Sequence, residues 1–262
     1  MIGNLVYRTP ILLLCAAALA VWVVLIELGF RVAARARRRS AGVSPAQLST
    51  TEAAVLSLLA LLLAFSFAMA QGRYDARRAL VLEESNAIGT TYLRTALLDE
   101  PERSELQSLL RRYVDLRVAL HEVGFDARRR DALNAASVRL QAQLWDKATR
   151  AVARTPNQIA SGLFLRSLND VIDLHEKRRV AVENLVPLPI VELIFFVGCI
   201  AAALVGYDCG LDGARRFWPT FLATLVFVSV AALVLDLDRP SRGVIRVPQE
   251  SMIRLRHSLR SP

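Results

Sequence analysis

Charged and amide side chains interrupt the apolar pattern of two helical stretches, Glu83–Arg94 and Asn169–Arg179. Glu84 stands about 21 Å beyond Ala70 along a helix, because each residue rises 1.5 Å. Asp173 precedes Pro187 by the same number of residues. The two stretches are therefore predicted to face each other, and we call their polar members the polar ladder: Glu84, Asn86, Thr91, Asn169, Asp173 and Arg178.

Carboxylate, guanidinium and amide groups in such an arrangement can do two kinds of chemistry. They can form buried ion pairs and hydrogen bonds that fix the register between helices. They can also line an ion path or a ligand pocket, where the same groups contact a passing or bound ion. The spacing leaves both interpretations open.

A second pattern lies in the apolar part of the chain that precedes the first of these stretches. Small or polar residues share one face of a predicted helix, flanked by two phenylalanines, and we call the set the pore stripe: Ser57, Ala60, Ala64, Phe65, Phe67, Ala68 and Gln71. Small residues allow two helices to pack closely, and phenylalanines can also form the narrow, dewettable neck of a pore. Three arginines follow the stripe, and this basic rim would concentrate anions: Arg73, Arg77 and Arg78.

Two carboxylates fall inside apolar segments. Glu192 lies about one turn inside the third segment, and Glu27 lies a similar distance from the end of the first. An acidic residue within a membrane segment is by default a candidate functional site. Both positions are near a membrane interface, where water lowers the cost of the charge.

Catalytic and metal-binding motifs are absent from the sequence. The three histidines, His121, His175 and His257, are scattered, and the three cysteines form no CxxC pair. No G-x-S-x-G, P-loop or dinucleotide fingerprint occurs. We therefore predict no enzymatic activity, no metal and no cofactor.

The elements that position these residues follow from hydropathy. Of 262 residues, 54% are hydrophobic, and they concentrate in four windows long enough to cross a hydrocarbon layer of about 30 Å. These windows are Ile11–Phe30, Ala53–Ala70, Pro187–Gly206 and Thr220–Leu237. The sequence predicts an all-α membrane protein with four transmembrane helices, which contacts the lipid bilayer.

The region between the second and third windows is polar, rich in Ala, Leu, Arg and Glu, and is predicted to be an antiparallel helical bundle. Helix breaks are expected at Asp99–Glu102, Val123–Asp126 and Arg154–Gln158. No break is expected between Leu61 and Arg94, so that one helix runs from the membrane into the bundle. The predicted domains are 1–70 (two transmembrane helices and a basic loop), 71–186 (the bundle), 187–237 (two transmembrane helices) and 238–262 (a basic tail, short of core-forming residues).

The net charge of +9 is carried mainly by arginines that flank the apolar windows. This placement favours membrane-surface anchoring over nucleic-acid binding. Arginines in the short segments divide evenly between the two sides of the membrane. Basic residues at the membrane ends of the bundle, among them the basic rim, favour a cytoplasmic location for the termini and the bundle.

Three stretches of this sequence resemble the bacterial bestrophin-like family: "FSFAMAQGRYDARRALVLEESNAIGTTYLR", "NDVIDLHEKRR" and "LDLDRPSRGVIRVPQE". The resemblance covers most of the chain after Ala53. It implies a bacterial inner-membrane location. It also implies the architecture of bestrophins, which are pentameric anion channels whose long second helix lines a pore that narrows at a neck. On this resemblance Phe65 and Phe67 would form the neck. The acidic cluster that binds Ca²⁺ in animal bestrophins is missing after the last window.

Two functions are compatible with these patterns. The first is a homo-oligomeric anion channel, a pentamer on the resemblance to bestrophins, whose long second helix lines the pore and whose partners are inorganic anions. The second is a membrane sensor or assembly scaffold with a periplasmic helical bundle, in which the long helix transmits a shift.

Overall fold

A computed structural model describes residues 9–38, 45–123, 126–154, 158–239 and 243–260. The described residues are almost entirely helical and contain no strand, which confirms the predicted all-α fold. A short 3₁₀ helix, Thr95–Leu97, follows the second α-helix. The α-helices, in our numbering, are α1 (Ile11–Arg38), α2 (Pro45–Arg94), α3 (Glu102–Glu122), α4 (Ala127–Arg154), α5 (Gln158–Glu183), α6 (Leu188–Asp212), α7 (Phe217–Asp238) and α8 (Glu250–Ser258).

Within the described residues, four helices are long and apolar enough to cross a membrane, as the sequence predicted. They are α1, α2, α6 and α7; three predicted windows lie within α1, α2 and α7, and the window Pro187–Gly206 begins one residue before α6. The predicted breaks at Asp99–Glu102, Val123–Asp126 and Arg154–Gln158 lie at the starts of α3, α4 and α5, although residues 124–125 and 155–157 lie outside the described part.

The second helix is unusually long. With 50 residues it measures about 75 Å, whereas about 20 residues suffice to span a bilayer. Its only proline is Pro45 at the start, where a missing N–H costs no helical hydrogen bond. The unbroken helix predicted from Leu61 to Arg94 is therefore present and begins earlier than the predicted second window.

The chain divides into two compact units. Unit 1 comprises the described residues up to Gly72, together with Leu185–Arg239 and Gly243–Ile245. Unit 2 comprises the described residues of Arg73–Asn184 and those from Arg246 onward. Helix α2 contributes to both units, with the change at Gly72 and Arg73.

Unit 1 is built on close contact between α1 and α6. At Gly206 the backbones come so near that an added Cβ would overlap the Ile26 carbonyl oxygen and lie 2.7 Å from its Cα. Elsewhere along the same two helices, the Trp22 ring of α1 occupies the space that a side chain at Gly198 of α6 would need. Glycine at these two positions therefore sets the distance between the helices, as small residues do in membrane proteins.

Unit 2 has a large apolar core. Tyr113, Leu110 and Phe164 are completely buried at its centre. Met252 of α8 belongs to the same core and is also completely buried. The segment that the sequence analysis treated as a basic tail thus contributes a core residue, because α8 packs on α3.

We expect Gly206→Ala to destabilise unit 1 by about 1–3 kcal/mol, the usual cost of forcing extra atoms into a packed interior. Gly72→Ala is the matched control, since a Cβ there would meet nothing within 4 Å. Alanine favours a helix over glycine by about 1 kcal/mol, so the control should be neutral or stabilising. Thermal unfolding of both variants in detergent, followed by tryptophan fluorescence, measures the difference, and equal midpoints would contradict the close contact.

Candidate functional site

The polar centre of unit 2 is Glu84 on α2, whose side chain has no exposed surface. Arg117 of α3 approaches it from one side, with its Nε 2.9 Å from Oε1 and its Nη2 3.2 Å from Oε2. Arg178 of α5 donates from Nη1 to Oε2. One carboxylate therefore joins three helices through two ion pairs.

Hydrogen bonds extend this centre to further elements. The Tyr113 hydroxyl donates to Glu84 Oε1 at 3.1 Å and accepts from Gln141 Nε2 of α4 at 3.1 Å. His175 Nδ1 lies 3.2 Å from the same hydroxyl. Tyr113 has one proton, which goes to the carboxylate, so His175 must carry its own proton on Nδ1 and donate it. We call Glu84, Arg117, Arg178, Tyr113, Gln141 and His175 the Glu84 cluster.

The ionisation states in the cluster follow from burial and charge. Burial raises the pKa of Glu84, but the guanidinium groups of Arg117 and Arg178 outweigh burial, and the pKa lies below its usual value. Burial lowers the pKa of His175 to about 4, and the Arg117 charge acts in the same direction. Burial and then Glu84 raise the pKa of Tyr113. At neutral pH the cluster therefore holds one carboxylate, two guanidiniums and a net charge of +1.

The polar ladder is only partly assembled. Glu84 and Arg178, which belong to the two stretches predicted to face each other, form an ion pair, whereas Asp173, predicted at the height of Glu84, is exposed, as is Asn86. Asn169 donates to Asp173 Oδ2 at 3.1 Å within α5, and both side chains are exposed.

Thr91, the remaining ladder residue, is buried and donates to the Ala87 carbonyl of its own helix. Within the described residues, the contact between ladder members on different helices is thus the Glu84–Arg178 ion pair. The other four residues point elsewhere because a helix presents only every third or fourth residue to one neighbour.

Four residues of the Glu84 cluster were not assigned to a site from the sequence: Tyr113, Arg117, Gln141 and His175. The one available signal is Arg117, which is four residues after Tyr113 on a helix whose neighbouring positions are apolar. A charged residue on a core-facing position requires a buried partner.

The pore stripe lies on the side of α2 that unit 1 leaves open. Ser57, Ala60, Ala64 and Ala68 are exposed in the single chain. Phe65 is 64% exposed and Phe67 37%, whereas Gln71, at the end of the stripe, is half-buried.

The opposite side of the same helix is packed. Leu59 and Leu63 are buried against Ile194, Val197 and Ala201 of α6. Within the described residues, α2 therefore divides into a covered apolar face and an open face of small residues.

The remaining predicted residues are dispersed. Glu192 is exposed near the start of α6. Glu27 accepts from Arg31 Nε at 2.7 Å and lies 3.3 Å from Arg215 Nη2, so it is an ion-paired carboxylate.

The basic rim is not a uniform surface. Arg77 is only 4% exposed, Arg73 is half-buried and Arg78 is exposed. This is a correction to the predicted rim, because buried Arg77 cannot present its charge to bulk solvent. Across the described part of the chain, no group of three or more His, Cys, Asp or Glu residues is arranged to hold a metal.

We expect Glu84→Gln to lower the stability of unit 2 by about 3–5 kcal/mol, because it leaves two guanidiniums buried without a carboxylate. Glu83→Gln is the matched control, since Glu83 is adjacent on α2 and exposed. Thermal unfolding of the two variants in the same detergent measures the difference. A Glu84→Gln midpoint equal to that of Glu83→Gln would show that the cluster does not stabilise the fold.

Solved structures with the same fold come from Klebsiella pneumoniae. A bacterial bestrophin homologue from this organism superposes with a TM-score of 0.67 at 16% identity, covering 93% of this chain and 96% of that one. Its leucine-to-threonine mutant gives a TM-score of 0.68 at 14% identity, with 95% and 97% covered. Its tyrosine-to-alanine mutant gives 0.67 at 16% identity, with 92% and 96% covered. No curated protein matches the sequence.

The family model of the Bestrophin-like domain matches residues 16–252. This range contains all four candidate membrane helices except the start of α1, as well as the whole Glu84 cluster. The chain is thus a multi-pass membrane protein and belongs to the Bestrophin-like family.

Proposed function

We propose that the chain forms a homo-oligomeric anion channel of the bestrophin type, in which α2 of each copy lines the pore. The observation that carries this proposal is the division of α2 into two faces. Leu59 and Leu63 are buried within the chain, while Ser57, Ala60, Ala64 and Ala68 are open. A face of small residues suits close packing of copies around a symmetry axis.

Phe65 and Phe67 are the proposed neck of this pore. Both project from the open side of the helix, at 64% and 37% exposure. Rings of apolar side chains can close a pore by expelling water. By analogy with bestrophins, we propose five copies, each of which contributes its phenylalanines to the constriction.

The charge of the chain supports anions as the permeating ions. The net charge is +9, and Arg78 is exposed just beyond the pore stripe. Fixed positive charge near a pore entrance raises the local concentration of anions. Glu84 does not oppose this effect, because its charge is compensated by Arg117 and Arg178.

We expect Phe65→Ala to increase halide flux several-fold in liposomes that contain the purified protein, because the change widens an apolar constriction. Phe196→Ala is the matched control, since Phe196 is 61% exposed but lies on α6. Chloride or iodide efflux, normalised to protein that remains oligomeric by light scattering, is the measurement. No flux from the intact oligomer, or the same increase in both variants, would contradict a pore lined by α2.

We propose that the protein lies in the bacterial inner membrane, with both termini and unit 2 in the cytoplasm. Basic residues at the membrane ends of unit 2, Arg73, Arg78 and Arg179 among them, support this orientation.

A second function, a membrane sensor or scaffold with a periplasmic bundle, is favoured by the continuity of α2, because a 50-residue helix can also transmit a displacement.

C-terminal fusions to fluorescent protein and to alkaline phosphatase separate these two functions. We expect fluorescence without phosphatase activity at the C-terminus. Fusions after Gly213, between α6 and α7, should give the reverse result and serve as the control. Phosphatase activity at the C-terminus would overturn the cytoplasmic orientation and leave the sensor or scaffold as the better function.

A further inference from the structure

A cavity of about 330 Å³ lies within unit 2, beside the Glu84 cluster. Its lining comes from α2, α3, α4 and α5 and from the segment that precedes α8. A volume of this size is at the lower end of small-molecule sites. It far exceeds the volume of a halide, so the cavity is too large to be a site shaped for a permeating ion alone.

Positive charge dominates the lining. Six arginines line the cavity: Arg77, Arg117, Arg130, Arg178, Arg179 and Arg246. The carboxylates in the lining are those of Asp131 and Glu183. Glu84 pairs with Arg117 and Arg178, and Glu176 and Glu183 both pair with Arg179, so the lining and these partners hold six arginines and four carboxylates.

The excess charge is concentrated at two places. In the Glu84 cluster two buried guanidiniums share a single carboxylate. At the edge of the cavity, Arg246 forms no ion pair with any carboxylate of the described residues. The pKa of His121, which also lines the cavity, is lowered by burial and then by Arg246 and Arg178. Both lining histidines are therefore neutral at pH 7, and a cation-rich site of this kind favours an anion.

The rest of the wall is apolar. Leu80 and Val81 of α2, Leu120 of α3, Val182 of α5 and Val247 line the cavity alongside the arginines. An inorganic anion would leave this surface without a contact. A molecule with one anionic end and a small apolar body would contact both parts, since guanidinium groups pair with carboxylate and phosphate oxygens in two-pronged geometry.

We propose that this cavity is a binding site for a small organic anion, one that carries a carboxylate or phosphate group on an apolar body. The anionic group lies among Arg246, Arg178 and Arg117, and the apolar body lies against Val247 and Leu120. The site is distinct from the proposed pore, since none of its residues belongs to the pore stripe. Its occupation does not depend on whether the protein conducts ions.

The test is isothermal titration calorimetry on the full chain in detergent, in about 150 mM NaCl, where charges beyond about 8 Å are screened. The probes are benzoate and phenyl phosphate, with benzyl alcohol and inorganic phosphate as the uncharged and headgroup-only comparisons. We expect saturable binding of one or both organic anions, one per chain. Benzyl alcohol should not bind, and inorganic phosphate should bind at least about tenfold more weakly.

Matched variants locate the site. Arg246→Gln removes an exposed guanidinium and should weaken binding about tenfold, the effect of losing one charge-assisted contact. Arg166→Gln makes the same change in net charge on an exposed position of α5 outside the cavity and should change affinity less than twofold. Ala181→Phe keeps every charge but fills the cavity, and should abolish binding.

Three results would overturn the proposal. The first is that neither organic anion binds saturably. The second is that Arg246→Gln and Arg166→Gln weaken the binding of the organic anion equally. The third is that phenyl phosphate and inorganic phosphate bind with equal affinity. The thermal midpoint of each variant is measured in parallel. If Ala181→Phe does not fold, the comparison of the two arginine variants, both at exposed positions, still decides the question.

Discussion

The constraint on which unit 2 depends is the burial of the Glu84 carboxylate. An ionised carboxylate without exposed surface is very costly unless its oxygens are paired and hydrogen-bonded. Glu84 meets this requirement with Arg117, Arg178 and Tyr113, which come from α3 and α5. Any displacement of these helices would leave a charge unpaired, so the cluster fixes their register more strictly than apolar contacts could.

The same geometry distinguishes the two interpretations of the polar ladder. A carboxylate with both oxygens hydrogen-bonded and no exposed surface is not accessible to a passing ion. The cluster therefore favours the structural interpretation for Glu84. Chemistry toward a ligand belongs to the neighbouring cavity, where the charge that Glu84 does not compensate meets an apolar wall.

Unit 1 depends on a different constraint, which is the distance between helix backbones. In a membrane the surrounding lipid is as apolar as the helices, so burying apolar surface between helices gains little. Helix association is instead stabilised by van der Waals contacts between closely spaced backbones. Gly198 and Gly206 supply this approach between α6 and α1, and Leu59 and Leu63 of α2 pack on α6. What remains of α2 in this unit is the open face of Ser57, Ala60, Ala64 and Ala68.

The sequence by itself determined the four membrane helices, the unbroken length of α2, the helix breaks and the family. These features depend on local composition, on proline and glycine positions and on hydropathy, which are readable along the chain. It also brought Glu84 and Asp173 to one height, and so the stretches that carry Glu84 and Arg178 face to face, because helical rise is constant. Only the tertiary structure decided that Arg117, Tyr113, Gln141 and His175 complete the cluster and that Met252 of the basic tail enters the core. Those outcomes depend on which face each helix turns toward its neighbours, and this rotation is set by packing between residues distant in the sequence.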